Sequence, residues 1–268
     1  MQVRFDQVTI QQKKMYYRIS GSGPVVVLLH GFGETGSVWE GQQAFLSQHY
    51  TVLVPDLPGS GKSEAISTMS MEGIADCIAL LLRSLTAAPH CLIGHSMGGY
   101  IALAYAERYA ERLTGLGLFH STAYADTPAK IETRKKAIEF VHKNGAGAFL
   151  SLAVPGLFAP ATADHNPELI EKQIKEAHNF SSASVVSYYS AMMIRPDRSA
   201  VLKHFEKPVL LVSGDADTLV PSQDLMQQTR LAKKGYFYRL EQSAHMGMLE
   251  EPEKTNQILS SYLGSLVE

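Results

Sequence analysis

Apolar and polar side chains alternate through the first twenty positions of the chain. Val3, Phe5, Val8 and Ile10, then Met15, Tyr17 and Ile19, recur near a two-residue period, which predicts strands over 2–10 and 13–19, paired antiparallel at a sheet edge. Gly21-Ser22-Gly23-Pro24 ends that pattern, and from Val25 to Leu29 every position is apolar. A strand without a polar face is covered on both sides, as parallel strands are by their crossover helices. The same signature returns at Thr51-Val52-Leu53-Val54, Cys91-Leu92-Ile93 and Leu113 to Phe119. Between these runs lie helical periods such as Ile74, Ile78, Leu81, Leu82 and Leu85, one buried face of a helix over 71–85. Strands and helices in alternation predict an α/β chain with a mostly parallel, doubly wound sheet.

The alternation stops at His120. From about Ser121 to Phe205 only helical periods occur, over 129–143, 145–152, 167–178 and 181–193, separated by Pro155, Pro160, Pro167 and Pro196. Sheet rhythm resumes at Val209-Leu210-Leu211-Val212, followed by a helix near 222–233, a strand from Tyr236 to Leu240 and a helix from about Pro252 to Leu266. The expected organisation is a core built from 1–120 and 206–268, with a helical cap over 121–205 inserted into it.

With 268 residues, 45% hydrophobic and 19% charged, the chain can bury a sizeable core as one domain with an insertion. A net charge of −2 and no sustained basic run argue against nucleic acid or an anionic membrane surface as partner, and point to a neutral small molecule. Met1 to Asp6 lacks a signal-peptide pattern and no apolar run could span a bilayer, so a soluble, cytoplasmic protein is expected. Cys77 and Cys91 each sit where a small buried hydrophobe belongs and are expected as free core thiols. The ten histidines show no H-E-x-x-H and no clustering at ligand spacing, so neither metal nor cofactor is expected.

The stretch with chemical content is Gly94-His95-Ser96-Met97-Gly98, set between a buried strand and a helix. A G-x-S-x-G turn holds serine at its apex only if the flanking positions are nearly bare, since strand and helix pass in contact on either side. A serine hydroxyl attacks only when a base takes its proton, and the base needs a carboxylate to fix its tautomer. In a parallel sheet such groups converge beyond the carboxyl ends of the strands. His245 follows the Tyr236 strand there, and Asp217 follows the Val209 strand, with Asp215 two residues away as the competing carboxylate. Gly61-Lys62-Ser63 ends like a phosphate-binding loop, but Asp56 stands where that motif needs its first glycine, so a structural turn is the better reading.

Five segments together resemble the α/β-hydrolase superfamily in its capped form: His30-Gly31-Phe32-Gly33, Asp56 to Gly61, Gly94 to Gly99, Gly214 to Pro221, and His245 with Glu250-Glu251-Pro252-Glu253. The resemblance runs nearly end to end. It implies an α/β-hydrolase fold, with Ser96 as nucleophile, His245 as base and Asp217 as acid. The backbone N–H groups of Phe32 and Met97 would form the oxyanion hole. It favours a carboxylic ester or lactone as substrate, with a carbon–carbon bond hydrolase, an amidase or a perhydrolase as rival chemistries, and a small-molecule receptor as a rival of another class. His30 and His95 are read as loop-shaping residues, and Asp56 as fixing its own turn. Phe32, Met97, His120, Tyr124, Phe158, Tyr189 and Met193 are expected in the pocket walls, which favour an apolar substrate. Oligomeric state leaves no mark in the sequence.

Overall fold

The computed structural model describes residues 3–266, so positions 1, 2, 267 and 268 of the expected core, residue 2 of the first expected strand among them, lie outside the described residues. Strands β1 (Arg4–Ile10) and β2 (Lys13–Ser20) form a hairpin whose two turn residues, Gln11 and Gln12, take positive φ of 51° and 64°. Two left-handed residues give the turn a twist that matches the strands it joins. The chain continues through β3 (Val25–Leu29), α1 (Glu40–Leu46), β4 (Thr51–Pro55), α2 (Met71–Leu85), β5 (His90–His95), α3 (Met97–Tyr109) and β6 (Leu113–Phe119). Six helices follow without a strand: α4 (Pro128–Asn144), α5 (Ala146–Ala153), α6 (Pro160–His165), α7 (Pro167–Ala177), α8 (Ser182–Ile194) and α9 (Ser199–His204). The chain then returns through β7 (Val209–Gly214), α10 (Ser222–Thr229), β8 (Gly235–Leu240), α11 (Gly247–Glu250) and α12 (Pro252–Gly264).

The strands form one sheet in the order β1-β2-β4-β3-β5-β6-β7-β8, antiparallel at β1/β2 and β2/β4 and parallel from β4 onward. This is the mostly parallel α/β sheet with an N-terminal antiparallel pair that the hydrophobic pattern predicts, in the arrangement that the resemblance to the α/β-hydrolases implies. Every residue of β5 is buried, between β3 and β6, as a strand covered on both faces must be. The helices begin where their caps stand. Ser70 accepts from the Gly73 amide at 3.0 Å to start α2, and Thr127 accepts from that of Lys130 at 3.3 Å, with Pro128 in the first turn of α4. The short helices α6, α9 and α11 were not anticipated, because six residues or fewer are too short to show a helical period.

The helices between β6 and β7 are tied to the sheet by buried polar contacts. Tyr188 Oη donates to the Pro58 carbonyl at 2.6 Å and accepts from Ser60 Oγ at 2.7 Å. Glu250 accepts from the Ala159 amide and from Thr162 Oγ1, each at 2.7 Å. Arg198, its side chain 3% exposed, pairs with Glu72 and Glu107. Cys77 and Cys91 are free and buried, and burial pushes the Cys77 thiol up to about 11, far from a reactive thiolate. Among the described residues no helix is long and apolar enough to cross a membrane.

Candidate active site

Ser96 stands at the junction of β5 and α3 with φ +50° and ψ −116°, a conformation costing a non-glycine residue about 1–3 kcal/mol. The surroundings hold it there. Its amide donates to the Phe119 carbonyl at 2.9 Å, and its own carbonyl accepts from Ser121 Oγ at 2.7 Å and from the Gly99 amide at 2.9 Å. The flanking glycines are steric requirements. A Cβ at Gly94 would overlap the Gly98 carbonyl, and one at Gly98 would lie 2.5 Å from the His30 carbonyl oxygen. The hydroxyl is thus lifted off the strand line and faces the cavity above the sheet.

Asp217, in the loop after β7, is 6% exposed. Its Oδ1 accepts from the amides of Leu219 at 2.9 Å and Val220 at 3.0 Å. Its Oδ2 accepts from Nδ1 of His245 at 2.8 Å and from Nδ1 of His120 at 3.1 Å. Burial alone would raise the Asp217 pKa, but the charge of His245 and the hydrogen bonds from both histidines outweigh it and hold the carboxyl far below its ordinary range. Burial works against a charged His245 as well, and the facing Asp217 carboxylate reverses the sign, leaving its pKa raised above 6.5. His120 gains less from the same carboxylate, and burial takes it down to about 4. Asp215 points the other way and forms a two-bond pair with Arg239 on the surface, at 2.7 and 2.6 Å.

His120, Asp217 and His245 are also the one group among the described residues whose ligand-type atoms come within 4.8 Å of one another as a metal site would need. The contacts of both Nδ1 atoms to Oδ2, at 2.8 and 3.1 Å, have the lengths of direct histidine–carboxylate hydrogen bonds.

On the other side of Ser96, the loop after β3 is held by its own side chains. His30 accepts from the Leu57 amide at Nε2, 2.9 Å, and Asp56 reaches back to the Gly36 amide at 2.9 Å. Glu34, 5% exposed, accepts from the Gly31 amide at 2.7 Å and from His95 Nδ1 at 3.0 Å. His95 Nε2 in turn lies 2.9 Å from the carbonyl of His245. Trp39 packs edge-on against Phe119 and His95 and donates to the Leu29 carbonyl at 3.1 Å. The amides of Phe32 and Met97 donate to no protein acceptor among the described residues.

A cavity of about 480 Å³ opens between the carboxyl edge of the sheet and the helices that follow β6. Ser96 and His245 line it, with apolar walls from Phe32, Leu150, Val154, Leu157, Met192 and Val220. Tyr189 is in the wall, stacked on Phe32 with ring centroids 4.4 Å apart. Met97, His120, Tyr124, Phe158 and Met193, also expected in the pocket walls, are not among the residues that line this cavity. His120, at φ +47°, directs its ring to Asp217, and Tyr124 gives its carbonyl to Arg195. Met97 and Phe158 are packed into the core, and on α8 it is Met192, one residue before Met193, that faces the cavity. Two cationic side chains, Lys130 and Arg134, and the carboxylate of Glu34 also reach the wall, where the sequence suggested an apolar lining.

The comparisons with known proteins agree with this architecture. Residues 26–258 match the model of the alpha/beta hydrolase family. The putative carbamate hydrolase RutD of Pantoea ananatis is 27% identical over 259 residues, covering 93% of both chains. The 3-oxoadipate enol-lactonase 1 of Acinetobacter baylyi is 25% identical over 263 residues, 96% of this chain and 95% of its own. A thermophilic esterase from Thermogutta terrifontis, solved with malate bound, superposes with a TM-score of 0.92 at 29% identity, over 98% of this chain and 99% of that one. Since the family match extends from β3 into α12 and takes in six of the eight strands together with the helices between β6 and β7, the chain belongs to the alpha/beta hydrolase family.

Proposed function

We propose that this hydrolase cleaves a small carboxylic ester or lactone through an acyl-enzyme on Ser96, with His245 as base and Asp217 as its acid partner. The observation that carries the reading is the 2.8 Å pairing of His245 Nδ1 with the buried Asp217 carboxylate, beside a cavity that both His245 and the strained Ser96 line. Asp217 holds the proton of His245 on Nδ1 and leaves Nε2 free to take the proton of Ser96 Oγ as that oxygen attacks the carbonyl carbon. The carbonyl electron pair moves onto oxygen, where the unpartnered amides of Phe32 and Met97 receive it; each such donor typically lowers the barrier by about 3 kcal/mol. The N-terminus of α3 adds a favourable dipole at the same point. The bond to the leaving alcohol breaks as His245 returns the proton, and a water molecule deprotonated by the same ring then releases the acyl group from Ser96. In this reading the helices over 121–205 form the cap that shapes the substrate space. The names of the relatives, an esterase, an enol-lactonase and a putative carbamate hydrolase, all fit transfer of an acyl group to water.

The test is labelling by a fluorophosphonate together with turnover of p-nitrophenyl esters of increasing chain length. Ser96→Ala is expected to abolish labelling, and Asp217→Asn to lower kcat by about 10³–10⁴-fold. Asp215→Asn is expected to stay within about twofold of the parent, because it breaks only an exposed surface pair. Labelling that survives Ser96→Ala, or equal losses at the two aspartates, would overturn the assignment.

A further inference from the structure

The apolar cavity is not uniform. On α4, Lys130, Thr133 and Arg134 follow one another at helical spacing and present one face of the helix to it. Their charge is not cancelled locally. Asp126, its side chain fully buried, pairs with Arg134 Nε at 2.6 Å and also with Arg195 Nη1 at 2.8 Å, so one carboxylate serves two guanidinium groups. Lys130 forms no ion pair among the described residues; its Nζ donates to the carbonyl of Leu219 at 3.1 Å. Of the neighbouring carboxylates, Asp126 is committed to the two arginines, and Asp224 lies too far off for a salt bridge to Lys130. Glu34, the one acidic side chain in the wall, is bound to the Gly31 amide and to His95. Burial presses the Lys130 pKa downward, and the two arginines add to this while Asp126 opposes it. The guanidinium of Arg134 is held in place, paired with Asp126 and 5.4 Å from the Tyr189 ring centroid, and remains 18% exposed.

We propose that Lys130 and Arg134 form an anion subsite, and that the substrate is an ester or lactone carrying a carboxylate beyond a short apolar spacer, such as the half-ester of a dicarboxylic acid. The proposal rests on the ester-hydrolase reading of Ser96 and adds the charge of the substrate. The apolar walls take the spacer, and the α4 face takes the carboxylate. A neutral ester of equal length leaves the surplus charge unmatched.

The experiment compares p-nitrophenyl hydrogen glutarate with p-nitrophenyl valerate, a matched pair that differs in the terminal carboxylate. The parent enzyme is expected to favour the glutarate at least tenfold in kcat/KM at low salt, with the ratio shrinking in 0.5 M NaCl as the charges are screened. Lys130→Glu, at an exposed position, is expected to invert the ratio, whereas Lys136→Glu, the same charge change on α4 away from the cavity, is expected to leave it unaltered. A second readout needs no turnover: free glutarate should raise the Tm of the parent and of Lys136→Glu but not of Lys130→Glu. Ester turnover without preference for the anion overturns the subsite and leaves the hydrolase reading standing. A glutarate-dependent Tm with no turnover of either ester supports the subsite and overturns that reading. Absence of both effects overturns the two together.

Discussion

His120 donates from Nδ1 to Oδ2 of Asp217 at 3.1 Å, the same oxygen that holds His245. One carboxylate oxygen therefore serves two imidazoles, with only His245 facing the cavity. His120 reaches this position because its backbone adopts φ +47°, which turns the ring away from the pocket, and its Nε2 is left buried without a partner. The arrangement limits how much negative charge Asp217 directs at His245.

Replacing His120 by asparagine, which tolerates left-handed backbone but falls short of the carboxylate, should concentrate that charge on His245. In the proposed mechanism the base is the neutral imidazole, so activity should rise with pH, and because Asp217 raises the His245 pKa the midpoint of kcat/KM should lie above the ordinary 6.5. In His120→Asn the midpoint should move further upward, with a stability loss of about 1.5–3 kcal/mol for a hydrogen bond to a charged group. A loss of stability with the midpoint unmoved would reduce His120 to packing.

Glu34 acts on the same titration from the opposite side. Its carboxylate is among the charges that raise the His245 pKa, and through His95 it is linked to the His245 carbonyl. Glu34→Gln keeps the size and an acceptor for the Gly31 amide but removes the charge, so the pH midpoint should move downward. The two variants thus shift one pH profile in opposite directions, which pH-rate measurements on the pair can check. Displacement of both midpoints the same way would show that the effect comes from disturbed geometry rather than from charge.

The parts of the site that sequence made legible are those where local geometry restricts the residue type. Gly94, Ser96 and Gly98 are legible because strand and helix touch at their backbones. Asp217 is preferred over Asp215 only through the spacing to Val220-Pro221 that the family resemblance supplies, not through anything local to either residue. Both sit in the loop after β7, and what distinguishes them is that Asp217 turns inward onto the amides of Leu219 and Val220 while Asp215 turns outward to Arg239. Met192 and Met193 differ by one step on α8, about 100° of rotation, and only the three-dimensional placement of that helix puts Met192 in the cavity wall. Nothing in the sequence marks Lys130 and Arg134, which enter the cavity wall only because α4 lies across it. Nothing in the sequence ties Glu34, next to Gly33, to its partner His95, 61 residues away.

Acid stability follows from the buried histidines that the proposed chemistry does not use. Burial lowers the pKa of His30, and takes both His90 and His120 down to about 4. Each stays neutral in the folded chain while the unfolded chain takes up a proton below about 6.5, so the unfolded state binds more protons and stability falls as pH drops from 6.5 toward 4. For His90 and His120 that window is worth about 3 kcal/mol apiece. Asp217 and Glu34, whose pKa values are depressed, add a further loss at lower pH, since the stability they contribute above the ordinary carboxylate value disappears as they protonate. His245 runs the other way, its contribution complete below 6.5 and lost as pH rises through its own elevated pKa. Urea denaturation at steps from pH 7 to pH 4 should therefore show a steep decline below 6.5. His90→Leu removes one of the titrating rings along with its 3.0 Å contact to Tyr105 Oη, and should lower the plateau at pH 7 while making the decline shallower. An unchanged slope in that variant, or a parent whose stability is flat between pH 6.5 and 4, would show that these histidines are not held neutral in the fold.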